Sequence, residues 1–142
     1  MEKDFAYGCI IVKDGKVLLE KQKHKEERFW SFPKGHKEGN ETDEESALRE
    51  VKEEVGLDVE ILDREPVLME YDIFSEDGEH RRIHKTVKLY IAKPLGGTLA
   101  IQEAEVETAC YLDPEEVADR LSFSAAKEAW TEAKERIKKL QK

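Results

Sequence analysis

Two hydrophobic periods alternate along this chain, and the switches between them mark the elements. Residues 5–12 are rich in β-branched and aromatic side chains and predict a strand. Asp14-Gly15 is a hairpin turn signal, and residues 16–21 resume as a second strand. The charged stretch 22–28 reads as a loop, and residues 29–32 as a short apolar strand stopped by Pro33. Residues 34–41 contain Gly35 and Gly39 without apolar periodicity, the mark of a loop.

The period then changes. Thr42 is a good N-cap, and Glu45 three residues later completes a capping box. Ala47, Leu48, Val51 and Val55 fall on one stripe at helical spacing. Gly56 fits a left-handed C-cap, so the pattern predicts a helix over 43–55. Strands are expected at 57–62, 67–74, 82–92 and 106–112, with a turn at Glu76-Asp77-Gly78 and a break at 94–97. A short helix over 114–121 and a longer amphipathic one over 124–140 close the chain, the latter with Ala125, Ala129, Ala133, Ile137 and Leu140 along one side. No repeat, linker or low-complexity tract interrupts this order, so residues 1–142 read as one domain. The order of strands, helix, strands and helices predicts a mixed-sheet sandwich with helices on both faces.

Composition narrows the function classes. Charged residues are 40% of the chain and hydrophobic ones 39%, and no run of about 18 apolar residues exists to span a membrane. The formal charge of −9 argues against an extended nucleic-acid surface, which needs a basic face, but leaves room for a locally basic pocket. Cys9 and Cys110 are far apart in apolar surroundings, so they read as buried free thiols and not as a zinc or redox pair. The first residues lack the basic-then-apolar pattern of a secretion signal, which points to the cytoplasm. Nothing in the pattern sets an oligomeric state.

The chemistry concentrates on the helix over 43–55. Glu50, Glu53 and Glu54 are neighbours on one helical face, with Cβ atoms about 5–6 Å apart. Glu54 borders the apolar stripe and should be shielded from water. Like charges at this spacing destabilise a helix by a few tenths of a kcal/mol per pair, roughly. A hard divalent cation such as magnesium relieves that repulsion. A solvated acidic face is the alternative, since charge runs usually decorate surfaces. The context favours the metal: a Gly-rich loop leads into the helix, Lys34 stands beside its first glycine, and Arg49 can hold a carboxylate through two bonds.

The run from Gly35 through Glu41 to Arg49-Glu50-Val51-Lys52-Glu53-Glu54-Val55-Gly56-Leu57 resembles the complete Nudix hydrolase signature, nine positions over 23 residues. The size and element order of the rest of the chain extend the resemblance to nearly all of it. It implies an α/β fold, an α/β/α sandwich around a mixed β-sheet, and hydrolysis of a nucleoside diphosphate linked to another moiety. It implies Mg2+ or Mn2+ as cofactor, held by Glu50, Glu53 and Glu54 with the Gly35 carbonyl. Arg49 would orient these carboxylates and Glu41 would stabilise the loop–helix junction. The family often uses a base outside the helix, and Glu105, six residues before Tyr111, is the candidate base or extra ligand. Glu50 itself is the other candidate base.

Pro33-Lys34-Gly35-His36 is similar to the branch that hydrolyses dinucleoside polyphosphates such as diadenosine tetraphosphate. Pro-Lys-Gly also occurs in relatives acting on RNA 5′ ends and on diphosphoinositol phosphates. Lys34, His36, Arg28 and Lys85 are the candidate substrate-binding residues, because a long polyphosphate needs several cations. The implied partner is a small nucleotide. That branch often has an aromatic where this chain has Leu89, so the base-stacking residue is open; Phe74 and Phe123 would either stack a base or fill the core. Some Nudix-like domains only bind nucleotides or proteins, but those usually lack acids that are all present here.

Overall fold

The protein is described here by a computed structural model covering residues 2–140. Its elements are β1 (Glu2–Lys13), β2 (Lys16–His24), β3 (Glu27–Ser31), β4 (Lys34–Gly35), α1 (Asp43–Val55), β5 (Leu57–Ile61), β6 (Val67–Phe74), β7 (Arg82–Gly97), β8 (Val106–Leu112), α2 (Pro114–Arg120) and α3 (Ser124–Leu140). The strands form one mixed sheet with the spine β3-β2-β1-β7-β5; β4 joins β1, β6 joins β7 and β8 joins β2. β1 and β7 run parallel from Glu2↔Ile83 to Ile11↔Ala92, while the other pairings are antiparallel.

Strand alternation splits the core in two. Ala6 and Ile10 of β1 pack with Leu89, Ile91 and the α3 residues Ala126, Ala129, Trp130, Ala133 and Ile137. Tyr7, Cys9 and Ile11 point the other way, onto Ala47, Val51 and Val55 of α1. Each large apolar side chain buried this way stabilises the fold by about 1.5–3 kcal/mol. Helices therefore cover both faces, and the α/β sandwich with a mixed sheet is the observed architecture.

The start and end of α1 follow from its caps. Thr42 accepts from the Glu45 amide, Glu45 accepts from the Thr42 amide, and Gly56 takes the left-handed conformation at φ 77°. Elsewhere the pattern misleads. Residues 22–28 form a hairpin and not a loop: β2 runs to His24, β3 starts at Glu27, and Lys25 turns the chain at φ 58°. Both rims of that hairpin are charged, so no apolar alternation betrays it. β1 begins at Glu2 because its N-terminal half is paired to β7. β4 is a two-residue strand inside the expected loop.

β7 continues through the expected break at 94–97. Pairing to β1 ends at Ala92, so Pro94 need donate no bond on that side, and a bulge between Asp58 and Val59 absorbs the irregularity towards β5. β5 ends at Ile61 and α2 at Arg120, each one residue early. On α3, Ala126 and Trp130 replace Ala125 and Leu140 in the buried stripe, since strict four-residue steps drift around a helix of 3.6 residues per turn. Cys9 is buried, its thiol pushed up to about 12 by burial, whereas Cys110 is only half-buried; both are free. Among the described residues no helix is long and apolar enough to cross a membrane.

Candidate active site

The site is assembled by close backbone approach. β4 pairs with β1 at Tyr7↔Gly35 and Gly8↔Lys34, and the Cys9 amide donates to the Pro33 carbonyl at 3.2 Å. A Cβ at Gly8 would collide with that carbonyl, so only glycine lets the loop lie on the sheet. The same holds one layer out: a Cβ at Gly35 would fill the space taken by the Glu50 carboxylate. The Gly35 backbone is thus a cradle for Glu50. The Lys34 amide donates to Glu54 Oε1 at 3.2 Å, tying the loop to the last turns of α1.

Arg49 organises the acids. Its Nη1 donates to Glu50 Oε1 at 3.0 Å and to both Glu53 oxygens at 3.1 Å. Its Nη2 reaches the His36 carbonyl at 2.7 Å. The Arg49 guanidinium, with the Glu38 amide, holds the Glu41 carboxyl down at about 2. Glu41 Oε1 also accepts from the Glu38 amide at 2.8 Å and from Ser46 Oγ at 3.0 Å, closing the loop onto the helix.

The three helix acids sit in different environments. Glu53 is exposed. Glu50 is half-buried, and burial raises its pKa; Arg49 opposes the rise, and the charges of Glu53 and Glu105 add to it. Glu54 is buried, 5% exposed, and its pKa is pushed up by burial and then by the facing carboxyl of Glu20. Glu20 escapes the sequence pattern. It occupies an inward position of β2 directly after the apolar run 17–19, and a charge at such a position was the available signal. Gln22, two residues on, is also buried and donates to Glu20 Oε2 at 2.6 Å.

The donor set fits a hard divalent cation: carboxylate oxygens of Glu50 and Glu54, a backbone cradle at Gly35, and an orphaned buried oxygen, Glu20 Oε1. Among the described residues no three such side chains already converge as a finished cage, and Arg49 engages both Glu50 and Glu53.

A cleft of about 510 Å³ brings together Gly35, Glu50, Glu105, Lys34, His36 and Lys85, whereas Glu53 and Glu54 are not among its lining residues. Lys34 and Lys85 line the same cleft, and burial, followed by the charge of Lys85, lowers the Lys34 pKa. His36 Nε2 lies 3.0 Å from Asp4 Oδ2, and Lys85 Nζ lies 3.7 Å from the same oxygen. The Glu105 backbone is pinned, its carbonyl accepting from the Lys23 amide at 2.8 Å. Arg28 is not brought into the cleft: it is spent on Glu107 at 3.0 Å and on the Lys25 and Glu27 carbonyls.

A second cleft of about 920 Å³ adjoins the first and shares Phe29, Lys34, His36 and Lys85 with it. Its walls include Met69, Tyr71, Phe74 and Phe123. Phe74 is 63% exposed and Phe123 51%, so neither is a core residue. Phe123 stacks at a tilt on Phe29 with ring centroids 5.3 Å apart. Leu89, in contrast, is buried in the α3-side core, so the position where the resembled branch often carries an aromatic does not face the clefts.

Comparison with known proteins agrees with this layout. The model of the NUDIX domain matches residues 3–137. The chain is 40% identical over 114 residues to a mutator protein, MutT4, of Mycobacterium tuberculosis, covering 80% of this chain and 44% of the relative. It is 41% identical over 70 residues to an RNA pyrophosphohydrolase of Hydrogenovibrio crunogenus, covering 46% of this chain and 41% of the relative. The chain thus spans less than half the length of either curated relative. A solved Ap4A hydrolase of C. elegans superposes with a TM-score of 0.67 at 20% identity, covering 93% of this chain and 97% of the other.

Proposed function

The chain belongs to the Nudix family, a family of hydrolases that cleave pyrophosphate bonds, and from that premise we propose that it hydrolyses a dinucleoside polyphosphate such as diadenosine tetraphosphate. The observation that carries this reading is that acidic and basic side chains line one cleft. Glu50 lies against Gly35 on one side, and Lys34 and Lys85 line the same space. Acids alone would repel a polyphosphate, and cations alone would only bind it.

The residues divide the work. Glu50, Glu53 and Glu54, with the Gly35 carbonyl, would hold Mg2+ or Mn2+. Held there, such an ion would supply neutralisation of phosphate charge and activation of the attacking water. Lys34, Lys85 and His36 neutralise the remaining phosphates and fix their position. Arg49 is a positioning residue that keeps Glu50 and Glu53 aligned. Glu105, which lines the same cleft as Glu50, takes the proton of the attacking water. A new phosphorus–oxygen bond forms as a bridging one breaks, and the leaving nucleotide departs as its phosphate anion. One water consumed per turnover gives ATP and AMP from diadenosine tetraphosphate. Phe29, Phe74 and Phe123 offer an aromatic wall for an adenine in the adjoining cleft, about 920 Å³ in volume.

The likeness to an RNA pyrophosphohydrolase supports a second reading, removal of pyrophosphate from RNA 5′ ends. A panel of diadenosine tetraphosphate, nucleoside triphosphates and 5′-triphosphorylated RNA, assayed with Mg2+, separates the two. The proposal predicts the highest kcat/KM on the dinucleotide. Faster turnover of RNA would transfer the assignment to the second reading.

A further inference from the structure

Behind the cleft, two carboxyl groups meet, and one of them lies outside the family signature. Glu20 is fully buried, 0% exposed. Gln22 ties down its Oε2 at 2.6 Å, while Oε1 has no partner among the described residues. Its carboxyl faces that of Glu54 within hydrogen-bonding reach.

The placement is built by β2. Strand alternation puts Glu20 on the same face as Leu18 and Gln22, and Leu18 packs in the core under α1. Across the neighbouring strands, Glu20 is paired with Ser31 of β3 and Ala109 of β8, two small residues that leave room around it. An ordinary core position with such neighbours would take a large aliphatic side chain, worth about 1.5–3 kcal/mol when buried. A carboxyl there is costly unless its oxygens are satisfied. Two ionised carboxylates in a dry site repel each other. A doubly charged cation that prefers oxygen ligands answers both problems, because it bridges the pair and supplies a partner for the orphaned oxygen.

We propose that Glu20 is a further carboxylate ligand of the divalent-cation site, joining Glu54 behind the cleft. Gln22 is its positioning residue, holding one oxygen so that the other is left for the cation. The proposal rests on the reading of Glu54 as a metal ligand, and it adds a ligand from β2 to a set otherwise drawn from α1 and its loop.

The test is Mn2+ binding to the substrate-free protein, followed by calorimetry and by the electron paramagnetic resonance of free Mn2+. Glu20→Gln keeps the shape and can still hydrogen-bond to Glu54; Glu20→Leu restores an apolar core residue and guards against a folding failure of the first variant. Both should bind Mn2+ roughly 10–100-fold more weakly than the wild type, while metal-free thermal unfolding stays unchanged or rises. Anomalous diffraction from Mn2+-soaked wild-type crystals, which needs no variant, should place an ion at bonding distance from a Glu20 oxygen. Unchanged Mn2+ affinity in the Glu20 variants, with weakened binding in Glu54→Gln, would overturn this proposal and leave the reading of Glu54 intact. Unchanged affinity in Glu54→Gln as well would overturn both.

Discussion

Arg49 and Glu41 are joined by a two-pronged bond: Nε donates to Oε2 at 2.7 Å and Nη2 to Oε1 at 3.0 Å. The pair locks the loop after β4 to the middle of α1, and the remaining Arg49 nitrogen then reaches Glu50 and Glu53. One planar, always-charged fork does both tasks, and a lysine cannot. Arg49→Lys should therefore lower kcat about 10–100-fold, the usual cost of losing a group that orients metal ligands. Steady-state kinetics check this, and the unfolding midpoint should fall in parallel because the junction is loosened.

Gly35 shows the same dependence from the backbone side. Gly35→Ala places a methyl where the Glu50 carboxylate lies. Such overpacking costs about 1–3 kcal/mol where neighbours must shift. The expected result is a loss of metal-dependent turnover well beyond the change in stability, read by comparing kcat with the midpoint of chemical denaturation.

The aromatic wall should act on binding. Phe123→Ala removes the ring stacked on Phe29 in the larger cleft. A stacked base is worth about 1–3 kcal/mol, so KM for diadenosine tetraphosphate should rise roughly 5–150-fold with kcat little changed. Chromatographic quantitation of the ATP and AMP formed across substrate concentration gives both constants.

The pH dependence of the metal-free protein follows from two opposite shifts. Burial beside Glu20 raises the Glu54 pKa, so its contribution to stability is complete below the unfolded carboxylate range and is lost as pH rises towards the folded value. Arg49 lowers Glu41 to about 2, so its contribution is present above the unfolded carboxylate range and is lost as pH falls towards 2. The metal-free protein should therefore be most stable near pH 5, with a midpoint that declines from pH 6 to pH 9. Excess Mg2+ should flatten that decline, because the ion replaces the proton between the acids. Thermal unfolding followed by circular dichroism across this range is the measurement.

Much of this was legible in residue order, for identifiable reasons. Thr42, Glu45 and Gly56 mark the ends of α1 because capping is local chemistry, read within three or four residues. The spacing of Glu50, Glu53 and Glu54 is likewise local. The hairpin of β2 and β3 was hidden because its partners, such as Lys23 and Arg28, are charged on both strands. Glu20 was hidden because its meaning depends on Glu54, 34 residues away in sequence, and on the small partners Ser31 and Ala109. Arg28 looked like a phosphate ligand by type, yet cross-strand geometry hands it to Glu107.

The central claim is that α1 carboxylates hold the divalent cation that makes the pyrophosphate bond cleavable. Glu54→Gln tests it most directly, since a neutral side chain suits this buried position and should leave the circular dichroism spectrum and unfolding midpoint intact. Turnover of diadenosine tetraphosphate with saturating Mg2+ should fall by at least about a thousandfold, as expected when a metal-dependent barrier loses roughly 4 kcal/mol of stabilisation. A folded Glu54→Gln protein that hydrolyses the dinucleotide at the wild-type rate would contradict the account.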